Sequence, residues 1–282
     1  VPGPPGTLSE APMVVAGPMA QSANDLTTLF NVLSKGTGNT DARLDSQHTP
    51  PKALQDYRVL LWTHDPLCPL DETLKTQYRS LKNQLVAAGV SVTEGAPESF
   101  SLIDFYIPYL RMLGAMMGVP LPMVQRQLMG MAGKVFPLVS WLRTLPPHFE
   151  HFLSGIDARY ADIRQTEEQI LRLKQAFCEI FNRYDVILMP PAATTAIPHN
   201  QKNALPTRII HIENKPRHYT ELFTWISVAS VLGLPATSAP VRLTPQNLPV
   251  NIQIMGAPHA DNVTLHFAEL LAELTGKLPI PV

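Results

Sequence analysis

YRVLLWTHDPLCPLDETLKTQYRSLKNQLVAAGVSVTE, residues 57–94, sets the architecture. Tyr57–Trp62 is an apolar, strand-like run. Asp71–Ala88 then repeats apolar residues at helical spacing and stops at Gly89, and Val90–Glu94 is a second short strand. Strand, helix and strand in this order make a β-α-β unit, whose strands pair in parallel across a crossover helix. Further along, Tyr184–Met189 (YDVILM) is a continuous apolar run of the kind covered on both faces. It is fed by an amphipathic helix that starts at Asp162 and is ended by Pro190-Pro191. Ala236–Val241 and Pro249–Met255 read as strands, and Glu221–Leu232 as a helix closed by Gly233. Residues 199–218 read as a loop holding histidines. Ser22 and Asp25 form a capping box before a first helix, and Asp261 caps a last one that runs through Leu274 to Gly276. The expected fold class is α/β, a mixed twisted β-sheet flanked by helices with a helical insertion. As a single domain, 1–98 and 162–282 would be α/β core portions, and 99–161 a helical, Met-rich insertion serving as lid or pocket wall.

The composition narrows the function classes. With 45% hydrophobic residues over 282 positions the chain can bury a sizeable core. Lys+Arg 22 against Asp+Glu 23 leaves no cationic surplus to neutralise phosphates, so no nucleic-acid partner is expected. The 28 prolines are about twice the usual ~5% share and lie between apolar segments, which predicts many short connections. Two cysteines, Cys68 and Cys178, make no disulfide framework and no C-x-x-C pair. No run approaches the ~18 apolar residues of a spanning helix. The sequence opens at Val1 with no basic-then-apolar leader. It therefore reads as the interior of a longer polypeptide, with the cytoplasm as the expected compartment.

Most familiar reactive motifs are missing. There is no G-x-S-x-G elbow and no H-E-x-x-H. Gly36-Thr37-Gly38 follows a helix rather than a strand and fails as a dinucleotide loop. Asn262-Val263-Thr264 sits at a helix start, where these residue types serve as caps. His148 and His151 (HFEH) stand three apart and form half of a metal site that His199, His211 or His218 would have to complete. The alternative is that they are polar loop histidines. Neither a metal nor a cofactor is expected. The methionines Met112, Met116, Met117, Met123, Met129 and Met131, with Phe105, Tyr106, Tyr109 and Trp141, leave two readings open: helical core packing, or a lipophilic channel wall or membrane contact.

Four segments carry a resemblance. Gly17-Pro18-Met19-Ala20 with Gln21-Ser22-Ala23-Asn24-Asp25-Leu26, the strand Tyr184–Met189 ending in Pro190, Gly233-Leu234-Pro235-Ala236-Thr237-Ser238-Ala239-Pro240, and Leu248-Pro249-Val250-Asn251-Ile252-Gln253-Ile254-Met255-Gly256 occur in the order and context of the amidase signature family. Gln21, Asn251 and the Ser230-Val231-Leu232 run depart from that family's pattern. The resemblance covers only the later part of the pattern. Its members carry a nucleophilic serine in a glycine- and serine-rich loop ahead of the Gly-Pro-Met-Ala segment, with a cis-serine and a lysine further upstream. This chain has no Ser-Ser and no Gly-Gly dipeptide. The resemblance thus implies the C-terminal part of an amide hydrolase working through an acyl-enzyme, inactive alone, with no catalytic residue of its own.

Residues for a small-molecule amide are expected on loops at strand ends. Thr194 and Thr195 would offer hydroxyls. Phe223 and Trp225 open the helix that the family places near its pocket, and Met112 and Met116 would wall it. Ser227 and Ser230 read as packing residues, and Gln253 as a buried side chain with a structural hydrogen bond. An amidotransferase subunit of the tRNA-dependent type, or a non-catalytic binding module, are the other readings. Unpaired sheet edges make a homodimer an expectation.

Overall fold

The computed structural model describes residues 13–35, 52–139, 146–200 and 207–276; Gly36-Thr37-Gly38 and Trp141 lie outside them. The strands are β1 (Arg58–Leu61), β2 (Ser91–Glu94), β3 (Val186–Met189), β4 (Ile209–Ile212), β5 (Lys215–His218), β6 (Ala236–Leu243) and β7 (Pro249–Met255). Five of them form one mixed sheet in the order β2-β1-β3-β7-β6. β1 runs parallel to β2 and β3, and the crossover helix α2 (Glu72–Ala87) joins β1 to β2 as the β-α-β reading expects. β7 is antiparallel to both β3 and β6. All four residues of β3 are buried, so both faces of the sheet are covered at that strand. Leu74, Tyr78, Leu81 and Leu85 make the buried stripe of α2 at spacings of four and three. The Tyr78 hydroxyl donates to the Asn251 carbonyl at 2.7 Å, tying the crossover to β7. Gly89 ends this helix at φ +85°, backbone that a side chain would strain.

α1 (Ala23–Lys35) lies on α8 (Asp261–Thr275), where Thr27 Oγ1 donates to Glu269 at 2.7 Å. Half of the Ser22–Asp25 capping box forms: the Asp25 N–H donates to Ser22 Oγ at 3.1 Å, while the Ser22 hydroxyl, rather than its backbone N–H, donates to the Asp25 carboxylate at 2.7 Å. A second helical group packs α3 (Leu102–Gly118), α6 (Tyr160–Cys178) and α7 (Ser227–Leu232) together. There Phe105 meets Phe177 edge-on at 5.4 Å. Where β1 and β3 begin, Asp185 accepts from Arg58 Nη2 at 2.9 Å, the Arg58 backbone N–H at 2.8 Å and Lys52 Nζ at 3.0 Å.

The 99–161 region holds α3, α4 (Met123–Val139) and α5 (Phe149–Ile156). Its sharpest feature is a set of helix crossings with glycine at the contacts. A Cβ on Gly114 would lie 2.1 Å from the Phe152 carbonyl oxygen, and one on Gly155 2.2 Å from that of Arg111. Gly130 and Gly133 of α4 instead make room for the side chains of Asp157 and Leu153, whose Cβ atoms would lie 2.6 and 3.0 Å from an added Cβ. Only residues without side chains allow backbones this close. Leu102 and Phe105 belong to the main core, whereas Leu153 and Ile156 form a small separate one with Leu121, Phe149 and Phe152. The outer face of α4 leaves Met123, Val124, Leu128, Met131 and Val135 exposed. No helix among the described residues is long and apolar enough to cross a membrane.

Two expectations are corrected. The 199–218 segment contains the β4–β5 hairpin, closed by Glu213 and Asn214, both in left-handed backbone at φ +52° and +59°. Glu221–Leu232 is not one helix. A 3₁₀ turn, Tyr219–Phe223, precedes α7, and the break between them lets Trp225 drop fully into the core.

Candidate functional site

In a sheet of this kind the usable crevice lies beyond the carboxyl ends of the parallel strands. β1 leads there into Trp62–Leu70 and β3 into Pro190–Asn200. The second loop faces the β4–β5 hairpin across an open groove of about 870 Å³. Ile197, Ile210 and Tyr219 give the groove its apolar surface, and Thr194, His199 and His211 its polar groups. The Arg208 guanidinium sits 5.8 Å above the Tyr219 ring, and the Tyr219 N–H donates to the Arg208 carbonyl.

The walls are anchored from behind. Asp71, just ahead of α2, donates its N–H to the Ala193 carbonyl at 3.0 Å and accepts the Glu213 N–H at 2.6 Å. Lys75 of α2 pairs with Glu213 in the hairpin turn. Buried Asp65 accepts the Leu67 and Leu102 N–H groups, each at 2.9 Å, and so fixes the β1 loop to the start of α3. Arg217 pairs with the buried Glu221, and its Nη2 donates to the Leu67 carbonyl at 3.0 Å. On the four-residue run that includes Tyr219, Arg217 Nε, His218 Nδ1 and Thr220 Oγ1 are buried without a hydrogen-bond partner among the described residues.

Of the six residues singled out from sequence, Thr194 lies in the groove wall and Thr195 follows it on the same loop. The structure does not bring the other four to the groove. Trp225 is fully buried, edge-on to Trp62 at 6.1 Å, with its indole N–H on the Cys68 carbonyl at 3.1 Å. Phe223 is half-buried against Tyr219. Met112 is buried and Met116 half-buried on α3. The hairpin residues of the groove were missed because no glycine marks their turn.

Neither Ser227 nor Cys68 is poised as a nucleophile. Ser227 is buried and donates to the Thr224 carbonyl at 2.6 Å. Burial, reinforced by the facing Glu221 carboxylate, pushes the Cys68 thiol up to about 12, so it stays protonated at neutral pH. Gln253 is buried, and its Nε2 has no hydrogen-bond partner among the described residues. His148 and His151 do come together. Their third neighbour is Glu150, while His199 and His211 line the groove and His218 is buried in β5.

The sequence profile described as Amidase matches residues 5–265. A fatty acid amide hydrolase of Arabidopsis thaliana is 34% identical over 105 residues, which is 36% of this chain and 16% of that protein. Fatty-acid amide hydrolase 2 of Homo sapiens is 24% identical over 284 residues, covering 92% of this chain and 48% of the relative. A solved structure described as an amidase superposes with a TM-score of 0.59 at 18% identity, over 92% of this chain and 52% of that one. The chain spans about half the length of the relatives it matches throughout.

Proposed function

The chain belongs to the amidase family, and from that membership we propose that it forms part of an enzyme that hydrolyses the carbon–nitrogen bond of an amide through an acyl-enzyme. The observation that carries this reading is the groove between the loop after β3 and the β4–β5 hairpin, with an apolar floor for a hydrocarbon portion and Thr194, His199 and His211 for a polar end. Its occupant is a small-molecule amide with an apolar tail. Thr194 and Thr195 offer hydroxyls to the amide or to water. Met112 and Met116 act one layer back, setting the shape of α3, and α3–α5 serve as the part that selects substrate. The exposed α4 face, which carries Lys134 and no acidic residue, is the surface this reading assigns to lipid contact.

In this reading the chain supplies the wall of the site and not its nucleophile. The sequestered Ser227 and the protonated Cys68 support that assignment, as does the absence of any Ser-Ser or Gly-Gly dipeptide. The attacking serine, the bridging serine and the lysine come from polypeptide outside these 282 residues, and the cytoplasm is the compartment assigned. The test is labelling with a fluorophosphonate that reports an activated serine. The 282-residue chain should remain unlabelled, and the polypeptide from its complete reading frame should label and release amine from a fatty amide. Labelling of the short chain, or none of the long one, would overturn the proposal.

A further inference from the structure

We propose that His148, Glu150 and His151 form a binding site for one divalent zinc ion at the start of α5. The metal-ligating atoms of these three side chains lie within 4.8 Å of one another, and all three residues are half-buried. His151 Nε2 stands 3.8 Å from Glu150 Oε1, and the rings of His148 and His151 are nearly parallel, 16° apart, with centroids at 6.3 Å. Two imidazoles and a carboxylate are a borderline ligand set that suits zinc, with water in the open position. Zinc bonds of about 2.0–2.2 Å place tetrahedral ligands roughly 3.4 Å apart, a contraction that rotation of partly exposed side chains supplies.

The backbone holds the set together. His148 occupies left-handed backbone at φ +62°, a conformation that glycine or asparagine adopts at lower cost. From there its carbonyl accepts the His151 N–H at 3.0 Å, which closes a turn around Glu150. Tyr106 of α3 packs edge-on against the His148 ring at 6.4 Å and limits its swing. Arg111 of α3 is a cation near His151, and the Glu150 carboxylate offsets it. All three ligands come from four consecutive residues, so the ion would stiffen the turn that opens α5. The groove and its chemistry are not involved, and the proposal stands apart from the hydrolase reading.

The experiment is equilibrium dialysis of the full 282-residue chain against Zn²⁺, with Co²⁺ as a spectroscopic stand-in. One Zn²⁺ per chain is expected. His148→Ala, Glu150→Gln and His151→Ala should each weaken binding at least about tenfold, and His211→Ala in the groove should leave it unchanged. In the unaltered chain, Co²⁺ should shift and broaden the imidazole proton resonances of His148 and His151 ahead of the other histidines. That readout decides the matter even if a variant fails to fold. Absence of stoichiometric binding, binding that survives His148→Ala combined with His151→Ala, or first broadening at other histidines would each overturn the site.

Discussion

The indole N–H of Trp225 reaches the carbonyl of Cys68, 157 residues earlier, at 3.1 Å, inside the core behind the groove. That bond joins the β1 loop to the segment leading into α7, alongside the Arg217 bond to the Leu67 carbonyl and the Trp62–Trp225 ring contact. Trp225→Phe keeps most of the buried area but orphans the carbonyl, and should cost about 1–3 kcal/mol. Trp225→Ala adds a cavity and should cost about 3–5 kcal/mol. Urea midpoints of the two variants measure both.

Asp185 predicts a pH dependence. Burial alone would raise its pKa. Hydrogen bonds from the Arg58 side chain and backbone and from Lys52 outweigh burial and hold it below the usual carboxylate range. A depressed folded-state value contributes stability above the unfolded pKa of about 3.9, which is lost as pH falls through the folded one. Asp185→Asn should lower the urea midpoint at pH 7 and flatten its fall below about pH 4. An unchanged acid limb in the variant would contradict the assignment.

The two thiols should differ in reactivity. Cys68 is buried with its thiol pushed up to about 12, whereas Cys178 is half-buried. Titration with a chromogenic disulfide at pH 8 should find at most one thiol in the folded chain and both in denaturant. Rapid labelling of Cys68 in the native state would show that the β1 loop opens.

The α3–α5 crossing should not accept a methyl group. Gly114→Ala and Gly155→Ala each drive a carbon into a backbone carbonyl and should cost at least about 1–3 kcal/mol, read as a lower thermal midpoint. Gly17→Ala is the control, since a Cβ there meets nothing within 4 Å.

The proposed occupancy of the groove can be tested in the polypeptide of the complete reading frame. Ile197→Trp fills apolar volume opposite the hairpin and should raise KM for long-chain amides about tenfold, with short amides little affected. Equal effects on both would place the acyl chain elsewhere.

The parts of the fold legible in sequence were those with an unambiguous period. α2 shows its stripe at Leu74, Tyr78, Leu81 and Leu85, and β3 is apolar at every position and stopped by two prolines. The β4–β5 hairpin was not legible because Pro216 sits inside a strand and Glu213-Asn214 lacks the glycine that usually marks such a turn. The glycines of α3 to α5 look like helix breakers until the partner backbones are seen beside them. Thr194 lies in the groove wall, where its position after a buried strand puts it, as α/β folds build crevices there. Trp225 shows the limit of that reasoning: an aromatic near a pocket and an aromatic behind one have the same local sequence, and only the Cys68 carbonyl distinguishes them.

The order of the sheet sets a timetable for synthesis. Val59 of β1 waits for Val186 of β3, and Ile187 in turn for Met255 of β7, so the central pairings join residues far apart in the chain. Closing such long loops is slow, and until the final strand leaves the ribosome the nascent chain carries the apolar β3 with one edge unpaired. Translation that stalls before Met255 leaves a sticky intermediate for chaperones to hold.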